Sequence, residues 1–210
     1  MSIELNSIPE AVEAIRRGEV VIVIDAEDRE NEGDFIVAAE KATPEIVNFM
    51  LTGRGQLCVS ILPEVCKRLD LNPVVAQNDA PLQTAFMTPI DTAAAKTGIT
   101  ACERSATIVK MADADCQAHD FVRPGHVYPL LAKQGGVLRR AGHTEASVDL
   151  PRMAGLTPAG ALCEILDETG DRASRDTLAM IAKKYELKII SIEQLIAHRR
   201  VSEKPVSYTH

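Results

Sequence analysis

From Ile8 to Arg17 apolar residues recur every three or four positions, the spacing of an amphipathic helix, and the run EVVIVI (19–24) is short and β-branched, as in a buried strand. A loop dense in acids follows, then a second apolar run over 35–39. TPEIVNFMLTGRG (43–55) predicts a helix with Thr43 as N-cap, Pro44 at its first position, and Gly53 or Gly55 ending it. QLCVSIL (56–62) predicts a strand, PEVCKRLDL (63–71) a short helix opened by Pro63, and NPVVAQNDAPLQ (72–83) a loop. TAFMTPI (84–90) predicts another strand, and helical spacing returns from Ala101. In HDFVRPGHVYPLLA (119–132) the Pro124-Gly125 dipeptide predicts a turn, and Pro129 limits any helix. KQGGVLRRAGHTEASVDL (133–150) places two glycines before a short strand and a third before a helix. Beyond it, 157–168 and 174–200 alternate helix, strand and helix, with Thr157 and Ser174 as caps, and the chain frays from about Val201. Interleaved helices and short strands, with no repeat and no low-complexity linker, predict one α+β domain over 1–210, an α/β sandwich whose mixed β-sheet is flanked by helices.

Composition narrows the function. At 210 residues and 46% hydrophobic content the chain has enough apolar material for one full-sized core. A net charge of -7 argues against a reader of nucleic-acid backbones, and 3% aromatics with no Trp removes the stacking platforms of single-strand binding. No apolar run approaches the ~20 residues that span a bilayer, and MSIELNSIPEAVEAIRRGE lacks the apolar segment of a signal peptide, so no membrane is expected. Five scattered cysteines without a CxxC pair indicate neither a disulfide framework nor a zinc site, which reads as reduced cytoplasm.

DAEDRENEGDFIVAAE (25–40) puts Asp25, Glu27, Asp28, Glu30, Glu32 and Asp34 within ten residues, with only Arg29 among them. An EF-hand beginning at Asp28 fails at its twelfth position, which is Ala39 instead of a bidentate Glu. An extended path between strands puts Glu30, Glu32 and Asp34 on one face, a site for a hard divalent cation and for proton transfer. Charge alone favours a solvated hairpin tip; Gly33 and the tight apolar flanks shift the balance toward a site fixed against the core. A second constellation, Arg123, His126, Arg139, Arg140, His143 and Glu145, includes a glycine, Gly142, and Thr144 where a helix begins, an arrangement that can cradle phosphate. RRxGHT by itself is also compatible with surface charge, and His126 with a turn residue. Cys58 follows a glycine turn in an otherwise apolar strand, and Glu164 is an acid within apolar LCEIL.

In order and spacing, DAEDRENEGDFIVAAE, RGQLCV, TGITACERSATI, DFVRPGHVYPL, RRAGHTEASVDL and PAGALCEI resemble the 3,4-dihydroxy-2-butanone 4-phosphate synthases of riboflavin biosynthesis, from about Ile8 to Arg199. The resemblance implies conversion of ribulose 5-phosphate into 3,4-dihydroxy-2-butanone 4-phosphate and formate, with Mg2+ (or Mn2+), two ions per active site. It makes Glu30 and His143 the protein metal ligands. Arg29, Glu32 and Asp34 surround the substrate, while Arg140, Gly142, Thr144 and Thr107 serve its phosphate. His126 and Glu164 fall at positions important for catalysis, and Cys58 near the substrate. A homodimer with active sites at the subunit interface is expected. The implied reaction runs through an enediol, loss of water, a carbon-skeleton shift and a hydration that releases formate. Each stage needs a proton donor or acceptor, which suits several acids together with His126 and Cys58.

Two departures stand out: Glu103 where the family usually has Asp, and Pro151 inside the helix after GHTEASVDL, which is expected to kink that helix or delay its start. Without the cysteine cluster of a GTP cyclohydrolase II domain, a single-function enzyme is expected. The rival readings are another metal-dependent phosphosugar enzyme, which would release no formate, and a non-catalytic acidic cation-binding domain.

Overall fold

The structure, a computed structural model, describes residues 4–203. Among the described residues seven strands form one mixed sheet in the order β4-β5-β3-β6-β2-β1-β7: β1 (Val21–Ile24), β2 (Gly33–Ala38), β3 (Cys58–Ile61), β4 (Ile90–Thr92), β5 (Phe121–Leu131), β6 (Gly160–Glu164) and β7 (Lys188–Ser191). β1 is antiparallel to β2 and parallel to β7; β6 runs antiparallel to β2 and β3, and β5 lies parallel to β3 and antiparallel to β4. The central strands are buried on both faces, which explains their continuous apolar runs. One face packs with α2 (Pro44–Met50) and α4 (Ala101–Ala112); the other is covered by α1 (Ile8–Arg17), α5 (His143–Met153) and α7 (Ile192–Ser202). The expected α+β sandwich is therefore observed. Among the described residues no helix is long and apolar enough to cross a membrane.

Local signals set several boundaries. Ser7 and Glu10 form a capping box that starts α1 at Ile8, and Thr43 and Thr100 cap α2 and α4 through their hydroxyls. The helix from Pro44 tightens into a 3-10 turn, Leu51–Gly53, and the left-handed position falls to Arg54, not to a glycine. α3 (Pro63–Arg68) begins at Pro63 as expected, and α6 (Arg175–Tyr185) is capped by Ser174. Of the frayed end, Val201 and Ser202 belong to α7, and residues 204–210 lie outside the described set.

Five expectations need correction. Residues 84–89 make only isolated bridges at Phe86 and Met87, and the strand begins at Ile90. The Pro124-Gly125 turn is absorbed into β5: between Ile90 and Asp91 the partner moves from Val127 to Val122, so residues 123–126 bulge out of the ladder, where a proline needs no donor. The short strand expected after Gly135 and Gly136 is a 3-10 turn, Gly136–Leu138. Thr157 caps no helix, because 160–164 form the central strand β6, paired on both sides. Pro151 lies inside α5, which nevertheless begins at His143 without delay.

Candidate active site

Asp25 organises the acidic loop. Its Oδ2 accepts from the Glu30 amide at 3.0 Å and from Arg29 Nη1 at 2.9 Å, and its Oδ1 from the Glu32 amide at 2.9 Å. The chain is wound around a buried carboxylate through a turn at 27–30 and a left-handed Asn31, and not extended as the sequence suggested. Glu30, Glu32 and Asp34 still converge, because the turn delivers Glu30 and the entry into β2 delivers Asp34. Asp34 pairs across the ladder with Glu164 at the end of β6, which brings a fourth carboxylate beside them. Glu164 Oε2 accepts from the Gln56 amide at 2.7 Å, which anchors it.

His143 opens α5 behind Gly142, whose position as N-cap carries no side-chain cap. The ring is buried: Nε2 lies 3.1 Å from the Val23 carbonyl and 3.9 Å from Asp34 Oδ1, and Nδ1 lies 3.4 Å from Glu30 Oε2. Donation from Nε2 to Val23 aims Nδ1 at Glu30. A cavity of about 210 Å³ is walled by Arg29, Glu30, Glu32 and Asp34 from the loop and β2. Its remaining wall includes Cys58, Arg140, His143, Thr144 and Glu164. Arg140 reaches Glu145 at 2.8 Å and, from its other nitrogen, the Leu82 carbonyl and Thr84 hydroxyl at 3.1 Å each.

Electrostatics divide the acids. Burial works to raise Glu30, but the hydrogen bond with His143 and the charge of Arg29 outweigh it and hold the carboxyl at about 2. Burial pushes Asp34 up to about 7; His143 opposes this, while Glu164, Glu32 and Glu30 add to it, and Asp34 Oδ1 has no hydrogen-bond partner. Burial and then Glu30 raise Glu32. For His143 burial works downward, but Asp34, Glu30 and Asp25 overcome it and raise the ring to about 9. Cys58 is driven well above the usual thiol range by burial and then by Glu164, so it lines the wall as a neutral thiol.

Ligand atoms of Asp25, Glu30 and His143 all lie within 4.8 Å of one another. A carboxylate and an imidazole converging on one point, beside an unpartnered buried carboxylate oxygen, fit a hard divalent cation. Asp25 spends its oxygens on the loop, which makes it the holder of the site, while Glu30, whose Oε2 also accepts from Arg29 Nη1, faces Nδ1 of His143 across it.

Not every expected residue is at this cavity. His126 lies in the bulge of β5 and faces an adjoining cavity of about 740 Å³ that shares Glu32 and Glu164. Asp91 accepts from its amide at 2.8 Å and lies 2.7 Å from its Nδ1, so Nε2 is turned toward that cavity. Thr107 is also away from this cavity: fully buried on α4, it donates to the Glu103 carbonyl at 3.0 Å and accepts from the Thr92 amide at 2.9 Å. Glu103 accepts from the amides of Lys96, Thr97 and Gly98, which accommodates the departure by fixing that loop. Asp25 and Asp91 escaped assignment in the sequence. Asp25 stood among six acids with no mark of its role, and Asp91 is 35 residues from its histidine.

A family model described as 3,4-dihydroxy-2-butanone 4-phosphate synthase matches residues 9–198. The riboflavin biosynthesis protein RibBA of Bacillus subtilis (strain 168) is 52% identical over 195 residues, 92% of this chain and 49% of that protein. RibBA of Aquifex aeolicus (strain VF5) is 52% identical over 200 residues, 93% of this chain and 49% of that one. The chain spans about half the length of the curated relatives it matches. RibBX, a two-domain 3,4-dihydroxy-2-butanone 4-phosphate synthase from A. baumannii, superposes with a TM-score of 0.92 at 45% identity, covering 95% of this chain and 59% of that one. A 3,4-dihydroxy-2-butanone 4-phosphate synthase solved with two magnesium ions gives 0.91 at 37% identity, covering 95% and 99%.

Proposed function

The chain belongs to the 3,4-dihydroxy-2-butanone 4-phosphate synthase family, and from that premise we propose that it is a lyase converting ribulose 5-phosphate into 3,4-dihydroxy-2-butanone 4-phosphate and formate. The observation that carries this reading is the meeting of Glu30 and His143, from a loop and a helix 113 residues apart, over a cavity rimmed by acids and by Arg140 and Thr144.

In this reading Glu30 and His143 hold the metal. Mg2+ is the ion, Mn2+ a substitute that the imidazole admits, and two ions are bound per site, a count suggested by the neighbour solved in complex with two magnesium ions. The cation supplies polarisation of a ketose carbonyl, which makes the neighbouring C–H acidic. Arg29 and Arg140 supply positive charge, and Gly142 and Thr144 bring the start of α5 to the phosphate. Asp34, raised to about 7 by burial, takes and returns a proton. Glu32, with a raised pKa, and Glu164, fixed by Gln56, stand beside it as further proton carriers. His126, oriented by Asp91, exchanges protons from the adjoining cavity. Cys58 packs against the substrate as a thiol.

We also infer a homodimer with its active sites at the interface. Ile99, which lines the same cavity as His126, is 51% exposed, and Val122, just before the bulge that carries the 44%-exposed His126 side chain, is 48% exposed, an apolar rim suited to a second subunit. A cytoplasmic location agrees with five cysteines that form no disulfide.

Uniformly 13C-labelled ribulose 5-phosphate incubated with the protein and Mg2+ should yield an NMR formate signal growing in step with a four-carbon phosphate, and EDTA should abolish both. Intact substrate, free phosphate alone or an isomeric pentose phosphate would sink the synthase reading.

A further inference from the structure

The acidic loop rests on the start of α6. Leu178 packs so closely under Gly33 that a Cβ there would lie 2.6 Å from its Cδ1. Three residues earlier, Arg175 donates to the carbonyl of Asp25, and three before that Arg172 donates to the carbonyl of Glu30 itself. A spacing of three aligns Arg175 and Leu178 on one helix face, and Arg172 extends the line just ahead of the Ser174 cap. Neither arginine lines the acid cavity. With its amide held by Asp25 and its carbonyl by Arg172, Glu30 has only its side chain left to move.

We propose that Arg172 and Arg175 are positioning residues that fix the backbone of the acidic loop and thereby set the affinity of Glu30 and His143 for a divalent cation. This rests on the reading of those two residues as metal ligands. Charge and positioning predict opposite outcomes. Two guanidinium groups near a cation site repel the ion, so a role through charge alone would make their removal tighten binding. Positioning makes their removal weaken it, because the loop must then be ordered at the moment the ion arrives.

Calorimetric titration of the metal-free protein with MnCl2 separates these cases. Arg172→Met and Arg175→Met are each expected to raise the Mn2+ Kd about tenfold, the size seen when groups orienting metal ligands are lost. Arg172→Lys, keeping the charge but not the planar fork, should fall between them and the parent. Melting temperatures of the Arg172 variants in EDTA should stay within about 2 °C, since Arg172 is at the surface. A Kd that is unchanged or tighter in the Met variants, while Glu30→Gln weakens binding, would overturn the inference and leave the metal site standing. If Glu30→Gln has no effect either, the ligand assignment fails and takes this inference with it. Should Arg175→Met not fold, the Arg172 pair alone decides.

Discussion

Asp34 and His143 lie 3.9 Å apart and titrate in ways neither would alone. The carboxyl of Asp34 is pushed to about 7 and the ring of His143 to about 9. Asp34 is above its unfolded value near ~4, so its folded form binds the proton more tightly. Stability is therefore lost as pH rises from about 4 to 7, by up to ~4 kcal/mol on the linkage relation. His143 above its usual ~6.5 likewise contributes stability that is full below that value and lost as pH rises toward 9. Asp34→Asn removes the first contribution and weakens the second. The variant should gain on the parent in thermal melts in EDTA between pH 5 and pH 8, while losing nearly all turnover; a gap independent of pH would contradict the assigned shifts. Such balances were not legible residue by residue. The acids and His143 could be picked from sequence because a family motif marked them. Their division into a Glu30 held low and an Asp34 pushed high depends on burial and on neighbours from other strands.

Elements that read well carried their own punctuation, as α1 does with its capping box and α4 with its Thr100 cap. Those that misled carried a residue whose local meaning was overruled by tertiary pairing. Pro124-Gly125 reads as a turn but bulges within β5, which has partners on both sides to hold it. Pro151 reads as a helix breaker, yet α5 runs through it. Its ring removes the amide that would bond Ser147 O, and that carbonyl instead lies against Gly160 of β6, where a Cβ would sit 2.0 Å away. Proline in the helix and glycine in the strand thus complement each other, letting α5 approach the sheet and deliver His143 to β1 and β2. Gly160→Ala should cost about 3 kcal/mol, the upper end of overpacking penalties, because the clash is with backbone in a strand paired on both sides. Denaturant melts would test this, and a loss below about 1 kcal/mol would mean that α5 can withdraw from the sheet freely.

At the scale of the molecule the site closes two distant parts of the chain on each other: the β1-β2 loop on one side, α5 with its buried Asp149–Arg199 pair to α7 on the other, at 2.6 Å. A cation joining Glu30 to His143 therefore bridges elements that unfolding separates, so it should stabilise the whole fold by mass action. At a concentration 100 times its Kd the gain is about 2.7 kcal/mol, and for a domain of this size each kcal/mol shifts Tm by roughly 2–4 °C, giving about 5–10 °C. The proton on His143 competes with the ion. With the ring at about 9 in the metal-free protein, each unit of pH below that value should weaken binding by about tenfold, whereas Glu30 at about 2 adds no competition above pH 5. Asp34, ionising through about 7, adds attraction for the ion in the same direction. At fixed Mg2+ the rise in Tm over an EDTA control should therefore be large at pH 8.5, small at pH 6.5, and absent at both in His143→Ala. A rise equal at the two pH values, or one that survives in His143→Ala, would place the stabilising ion somewhere other than between the acidic loop and α5.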